Sequence, residues 1–164
     1  MIEELKRILS RYKNKGILID TNILLLYFIG LLNRERISRF KRTRQFTSQD
    51  FDLLLRLLHN FKIIVTTPNI LTEVNSLMNQ LGEPERSKCY SMFADRIHAL
   101  QEAYIPSREI VSSDWPFLKY GLTDCGIAIL SRNQYLVLTD DLKAANYLNS
   151  QGVETLNFNN LRSY

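Results

Sequence analysis

The chain is 164 residues long, 45% apolar and 23% charged, with a formal net charge of +4. That length and balance suit one soluble globular domain with a real core, and they exclude a disordered, collagenous or membrane-spanning chain. Two cysteines, Cys89 and Cys125, exclude a disulfide framework, no Cys/His cluster has zinc spacing, and the expected setting is reducing and cytoplasmic.

The first fifteen residues predict an amphipathic helix with Ile2, Leu5, Ile8, Leu9 and Tyr12 on one side, a charged start unlike a signal peptide. Ile17 to Ile19 reads as a buried strand that stops at Asp20-Thr21-Asn22. A largely apolar helix follows to Leu32; with Asp20 and Asn22 interrupting it, the run is too short for a bilayer, so no membrane partner is expected. Between Leu31 and Asp50 lie Arg34, Arg36, Arg39, Lys41, Arg42 and Arg44 against only Glu35 and Asp50, so the whole positive excess sits in one block. Such a block, an insertion at about 33–47 read as a surface excursion, suits a polyanionic partner; a plain solvated face is the equal alternative.

Phe51, Leu54, Leu55 and Leu58 mark another amphipathic helix, and Lys62 to Thr66 a second strand. Thr67-Pro68 is a helix start, with Leu71, Val74, Leu77 and Met78 as the buried face. After a break at Gly82 to Pro84, Cys89, Phe93, Ile97, Leu100 and Tyr104 form the stripe of a longer helix. Ile105 to Phe117 reads as mostly irregular, and Thr123 as the cap of a helix through Ser131. Tyr135 to Thr139 is a strand, a helix runs from about Asp141 to Asn149, and Val153 to Phe158 is a last strand. Strands alternating with helices predict an α/β fold, a three-layer α/β/α sandwich with a mostly parallel central sheet.

On that frame the acids fall into a pattern. Asp20, Asp140 and Asp141 directly follow strands, Glu73 lies in the second turn of the helix after the second strand, and Asp124 opens the helix before the third. The carboxyl edge of a parallel sheet is where ligands bind. Clustered carboxylates repel one another, and a hard cation relieves that conflict; oxygen-only ligation favours Mg²⁺ or Mn²⁺ and phosphate chemistry. Taken singly, each acid also has an ordinary explanation: Asp124 as a first-turn acid, Asp140 or Asp141 as a cap, Glu73 as a solvated helix residue. Asp20 is hardest to explain so, because an acid ending a buried strand is costly without a partner. Thr21, Asn22 and Thr139 stand beside the acids and could orient them, with turn and cap chemistry as the equal alternative. His59 and His98 read as structural or exposed. Trp115 and Tyr120 flank a loop where bases could stack, although packing is the favoured reading.

Four motifs in order, Ile19-Asp20-Thr21-Asn22, Thr67-Pro68 through Thr72-Glu73-Val74, Leu122-Thr123-Asp124-Cys125-Gly126, and Leu138-Thr139-Asp140-Asp141, resemble those of PIN domains. The resemblance runs from about Gly16 to Phe158. It implies a Mg²⁺- or Mn²⁺-dependent nuclease, usually an endoribonuclease, in which metal-activated water leaves 5′-phosphate and 3′-hydroxyl ends. Carried over by position, Asp20, Glu73 and Asp124 are the core ligands; the family's threonine, any residue, acid pattern selects Asp141, with Asp140 the alternative. Many small members are VapC-type toxins that dimerise and are held inactive by an antitoxin. The basic insertion and an additional Leu-rich helix set this chain apart from those toxins. The rival expectation is a catalytically silent relative that binds RNA or a protein through the Arg34–Arg44 block. A third, an aspartate-nucleophile phosphatase, is disfavoured because Asn22 takes the place of its second acid.

Overall fold

The computed structural model describes residues 2–163; Met1 and Tyr164 lie outside it, as does the side chain of Ile2. The helix α1 (Ile2–Tyr12) leads into β1 (Ile17–Ile19), which is wholly buried and apolar. Strands β2 (Ile64–Thr66), β3 (Gln101–Glu102), β4 (Leu136–Thr139) and β5 (Thr155–Asn157) complete a five-stranded sheet of order β3-β2-β1-β4-β5. Every pairing is parallel. Because β1 is central, both its faces are covered, and its unbroken Ile-Leu-Ile run is what such a strand requires.

The helices α2 (Thr21–Leu32), α3 (Arg36–Arg39), α4 (Ser48–Leu58), α5 (Pro68–Met78) and α6 (Glu85–Ile97) pack around one another, with α2 touching each of the other four. Helices α8 (Phe117–Ser131), α9 (Leu142–Ser150) and α10 (Phe158–Arg162) lie against the sheet, and α7 (Ser107–Val111) packs on α8. The result is a parallel sheet flanked by helices, in three layers. Helix α2 is apolar on nearly every side because it is buried on nearly every side. Gly30 lets α4 approach it: a Cβ there would meet the buried Phe51 ring at 2.3 Å.

Several expectations need correction. The basic block is not a mere surface excursion: Ile37, Phe40, Thr43 and Phe46 are buried beneath it and tie it to the core. The stripe expected to reach Tyr104 ends with α6 at Ile97; β3 intervenes, and Tyr104 is 71% exposed. The mostly irregular segment from Ile105 to Phe117 also holds the short α7, and the last strand is shorter than expected because Phe158 opens α10. Helix α8 starts at Phe117, well before Thr123, and is broken inside by Gly121, whose φ of 75° and ψ of −174° belong to a conformation that glycine adopts freely.

Three helices start where strands end. Asp20 caps α2, Thr67 caps α5 through the Ile70 amide, and Asp141 caps α9. All three caps stand on the carboxyl edge of the sheet, as the uniform strand direction demands.

Candidate functional site

Asp20 is held from two sides. Its Oδ1 accepts the Thr21 amide at 2.6 Å, and its Oδ2 accepts the Thr139 hydroxyl from the end of β4 at 2.7 Å. The register that sets Ile19 against Leu138 brings those two strand ends together. Burial pushes the Asp20 carboxyl up from its ordinary range; the two hydrogen bonds pull it back, and the charges of Asp140 and Glu73 push it further up.

Glu73 lies on α5 and is exposed, yet both its oxygens are engaged. Oε2 accepts the Thr21 hydroxyl at 2.7 Å, and Oε1 accepts the Thr123 hydroxyl from α8. Thr123 is therefore not the helix cap expected of it; its hydroxyl is spent on the carboxylate. Through this one side chain the start of α2 and the middle of α8 are drawn to the same place. The chain between β3 and α8 does return to the edge where Asp20 stands.

Asp124 follows directly. Burial pushes its carboxyl up to about 7, and the charges of Asp20, then Glu73, then Asp141 add to the rise. Among the described residues, no lysine or arginine forms an ion pair with Asp20, Glu73, Asp124, Asp140 or Asp141.

The adjacent pair divides its work. Asp141 caps α9: its Oδ1 accepts the amides of Lys143 at 2.8 Å and Ala144 at 3.0 Å, and its own amide donates to Thr139 Oγ1 at 3.1 Å. Asp140 faces two side-chain amides instead. Asn22 donates to it at 3.2 Å and Gln45 at 2.8 Å. Thus Thr21, Asn22 and Thr139 each bond an acid of the set.

Gln45 belongs to the basic block, which therefore abuts the acidic edge. Arg162 fixes that junction, donating to Asp50 Oδ1 at 3.1 Å and to the Gln45 carbonyl at 2.7 Å while covering the Phe46 ring. Of the six basic residues, Arg34 pairs with Asp52, Arg36 with Glu85, and Arg42 donates to Gln80. Arg39, Lys41 and Arg44 are exposed and, among the described residues, have no such partner.

Beside Asp20 and Asp124 opens a mostly apolar cleft walled by Trp115, Tyr120 and Tyr147. His59 and His98 are exposed helix C-caps and, among the described residues, bond none of these acids. Sequence reasoning missed Gln45, Tyr147 and Arg162. Tyr147 shares the buried face of α9 with Ala144 and Leu148, a periodic signal that could have found it. Gln45 and Arg162 act across the fold and carry no local signal.

Among the described residues, no three Asp, Glu, His or Cys side chains stand close enough together to hold an ion in the positions they occupy. Glu73 is engaged by two hydroxyls and Asp140 by two amides. Comparison with family models, with curated proteins and with solved structures gives no match.

Proposed function

We propose that the chain is a PIN-like, divalent-metal-dependent phosphodiesterase that cleaves RNA. The observation that carries this reading is the gathering of five acids from four separate stretches at the carboxyl edge of the sheet. Two of them, Asp20 and Asp124, are pushed above their ordinary range, first by burial and then by the neighbouring carboxylates. A set of carboxylate oxygens without imidazole suits Mg²⁺ or Mn²⁺. Asp20, Glu73, Asp124 and Asp141 would hold it, with Asp140 beside them. Such an ion supplies Lewis acidity and a more acidic water for hydrolysis of a phosphodiester.

The chain's own residues prepare that site. Thr139 and the Thr21 amide fix the Asp20 carboxylate, and the hydroxyls of Thr21 and Thr123 fix Glu73. Asn22 and Gln45 orient Asp140. Arg39, Lys41 and Arg44 offer free charge to a phosphate backbone, on a block tied to the acidic edge through Gln45. An antitoxin and a homodimer belong to the toxin form of the resemblance, from which the basic block departs.

A second reading, a catalytically silent RNA-binding module, is favoured by the absence of any preformed group of three ligands among the described residues. The test compares the parent with Asp20→Asn in Mn²⁺ and in Mg²⁺. The expected result is that the parent cuts RNA only with the ion and melts at a higher temperature in its presence, and that Asp20→Asn does neither. Equal cleavage by both proteins would overturn the proposed site. Binding without cleavage by the parent would establish the second reading.

A further inference from the structure

Outside the basic block the chain holds as many acids as bases, yet the fold sorts them. Five acids stand at the carboxyl edge of the sheet, and the opposite edge, where the strands begin, is basic. The segments that lead into β1, β2 and β4, residues 13–16, 59–63 and 132–135, carry Lys13, Lys15, Lys62 and Arg132 and no acid. They lie side by side. The Lys62 amide donates to the Lys13 carbonyl at 3.0 Å, and the Lys15 ammonium donates to the Asn133 carbonyl at 3.1 Å. All four cations are exposed, as are the amide side chains of Asn14, Asn60, Asn133 and Gln134 that alternate with them.

Part of this has a structural cause. Helices α1, α4 and α8 end at this edge, and the negative end of a helix dipole attracts a cation. Lys15 serves in that way: it holds a carbonyl just past the end of α8 and stands 5.5 Å from the Tyr12 ring centroid. Lys13, Lys62 and Arg132 do not. Among the described residues none of the three forms an ion pair, and Glu154, which leads into β5, is already taken by Arg11 at 2.9 Å. Like charges on neighbouring segments repel, and an anion that bridges them turns the repulsion into attraction.

We propose that this amino edge is a second nucleic-acid contact surface, in which Lys13, Lys62 and Arg132 hold the phosphate backbone and the amides between them donate to it without reading bases. A membrane surface fits less well, because the edge has nothing to insert: the exposed large apolar side chains, Tyr104, Val111, Leu118, Leu122 and Leu142, all belong to other segments. A protein partner fits less well for the same reason, since no aromatic or aliphatic anchor stands among the cations. The surface goes beyond the proposed hydrolysis and does not depend on it. Lys15 and Asp20 bracket β1 and so stand up to about 17 Å apart, which means that a nucleic acid touching both edges lies across the whole molecule.

The full chain is titrated in chelator, so that nothing is cut, with a fluorescent oligoribonucleotide of about 20 nucleotides across roughly 50 to 200 mM salt. The variant changes Lys13, Lys62 and Arg132 together to glutamine. Its salt dependence should be shallower by about 2 on logarithmic axes, with binding roughly 10-fold weaker at the low-salt end. In the parent, RNA should protect Lys13 and Lys62 from an amine-acylating reagent, a reading that does not require the variant to fold. Affinity and slope unchanged in a folded variant overturn the surface, and so does acylation of both lysines that is indifferent to RNA. Equal protection by polyglutamate of matched charge assigns the edge to an acidic protein, and protection by phosphatidylserine vesicles in place of RNA assigns it to a membrane; each overturns the proposal. Because cleavage is not measured, failure of the phosphodiesterase reading leaves these outcomes untouched.

Discussion

The hydroxyl of Thr139 donates to the Asp20 carboxylate across the junction of two neighbouring strand ends, over 2.7 Å. Among the described residues it is one of two bonds that favour the charged form of Asp20 against burial and like-charged neighbours. Thr139→Val keeps the shape and deletes the donor. The metal-free variant should lose about 1–2 kcal/mol of stability at pH 8, read from urea unfolding, because a half-buried carboxylate is left underbonded.

The raised carboxyls set a pH dependence. In the folded chain Asp124 titrates at about 7 rather than at its ordinary 3.8, and Asp20 is shifted the same way. Between those two pH values the folded state binds more protons than the unfolded state. Stability is therefore greatest on the acid side of the window and falls as pH rises towards 7. For Asp124 the fall is at most about 4 kcal/mol, less whatever the solvent-open side of the site screens. Urea midpoints of the metal-free parent should drop across the window, and those of Asp124→Asn should drop less.

Asp141 bears two roles that substitution can separate. It caps α9 through two backbone amides. Asp141→Ala should cost about 1 kcal/mol of stability, whereas Asp141→Asn, which still caps, should cost a few tenths at most. If its charge also serves the proposed chemistry, both variants lose cleavage while only the alanine variant loses stability.

Neutralising the free part of the basic block addresses its partner. Changing Arg39, Lys41 and Arg44 together to alanine should leave the melting temperature close to that of the parent, since all three are exposed. The logarithmic salt dependence of binding to unpaired RNA should become shallower by about 2, the share of three phosphate contacts. The same change at Arg34 and Arg36 would break ion pairs with Asp52 and Glu85 and would mix stability with binding.

The frame of the molecule was readable in the sequence wherever burial leaves a periodic mark. Ile17 to Ile19 is an apolar run because both faces are covered, and Thr67-Pro68 is a start signal that depends on nothing distant. The positions of Asp20 and Glu73 on their elements followed from those marks, whereas Asp124, expected to open a helix, lies inside α8 beyond the break at Gly121. Strand β3 was not readable, since Gln101 and Glu102 are exposed at the sheet edge and pair only through their backbone. Thr123 misled for a different reason. Before a helical run it has the chemistry of a cap, but Glu73, distant in sequence, claims its hydroxyl. The junction of Gln45 with Asp140 and Arg162 was invisible for the same reason, as polar bonds between remote residues have no period.

The caps on α2, α5 and α9 have an electrical consequence. Each of these helices turns the positive end of its dipole towards the carboxyl edge, so three partial positive charges underlie the five acids. The negative potential there is a veneer of side chains over backbone of the opposite sign. Replacing Asp20 and Asp124 together with asparagine should therefore do more than abolish turnover: in chelator, the doubly neutral protein should retain RNA more tightly than the parent does.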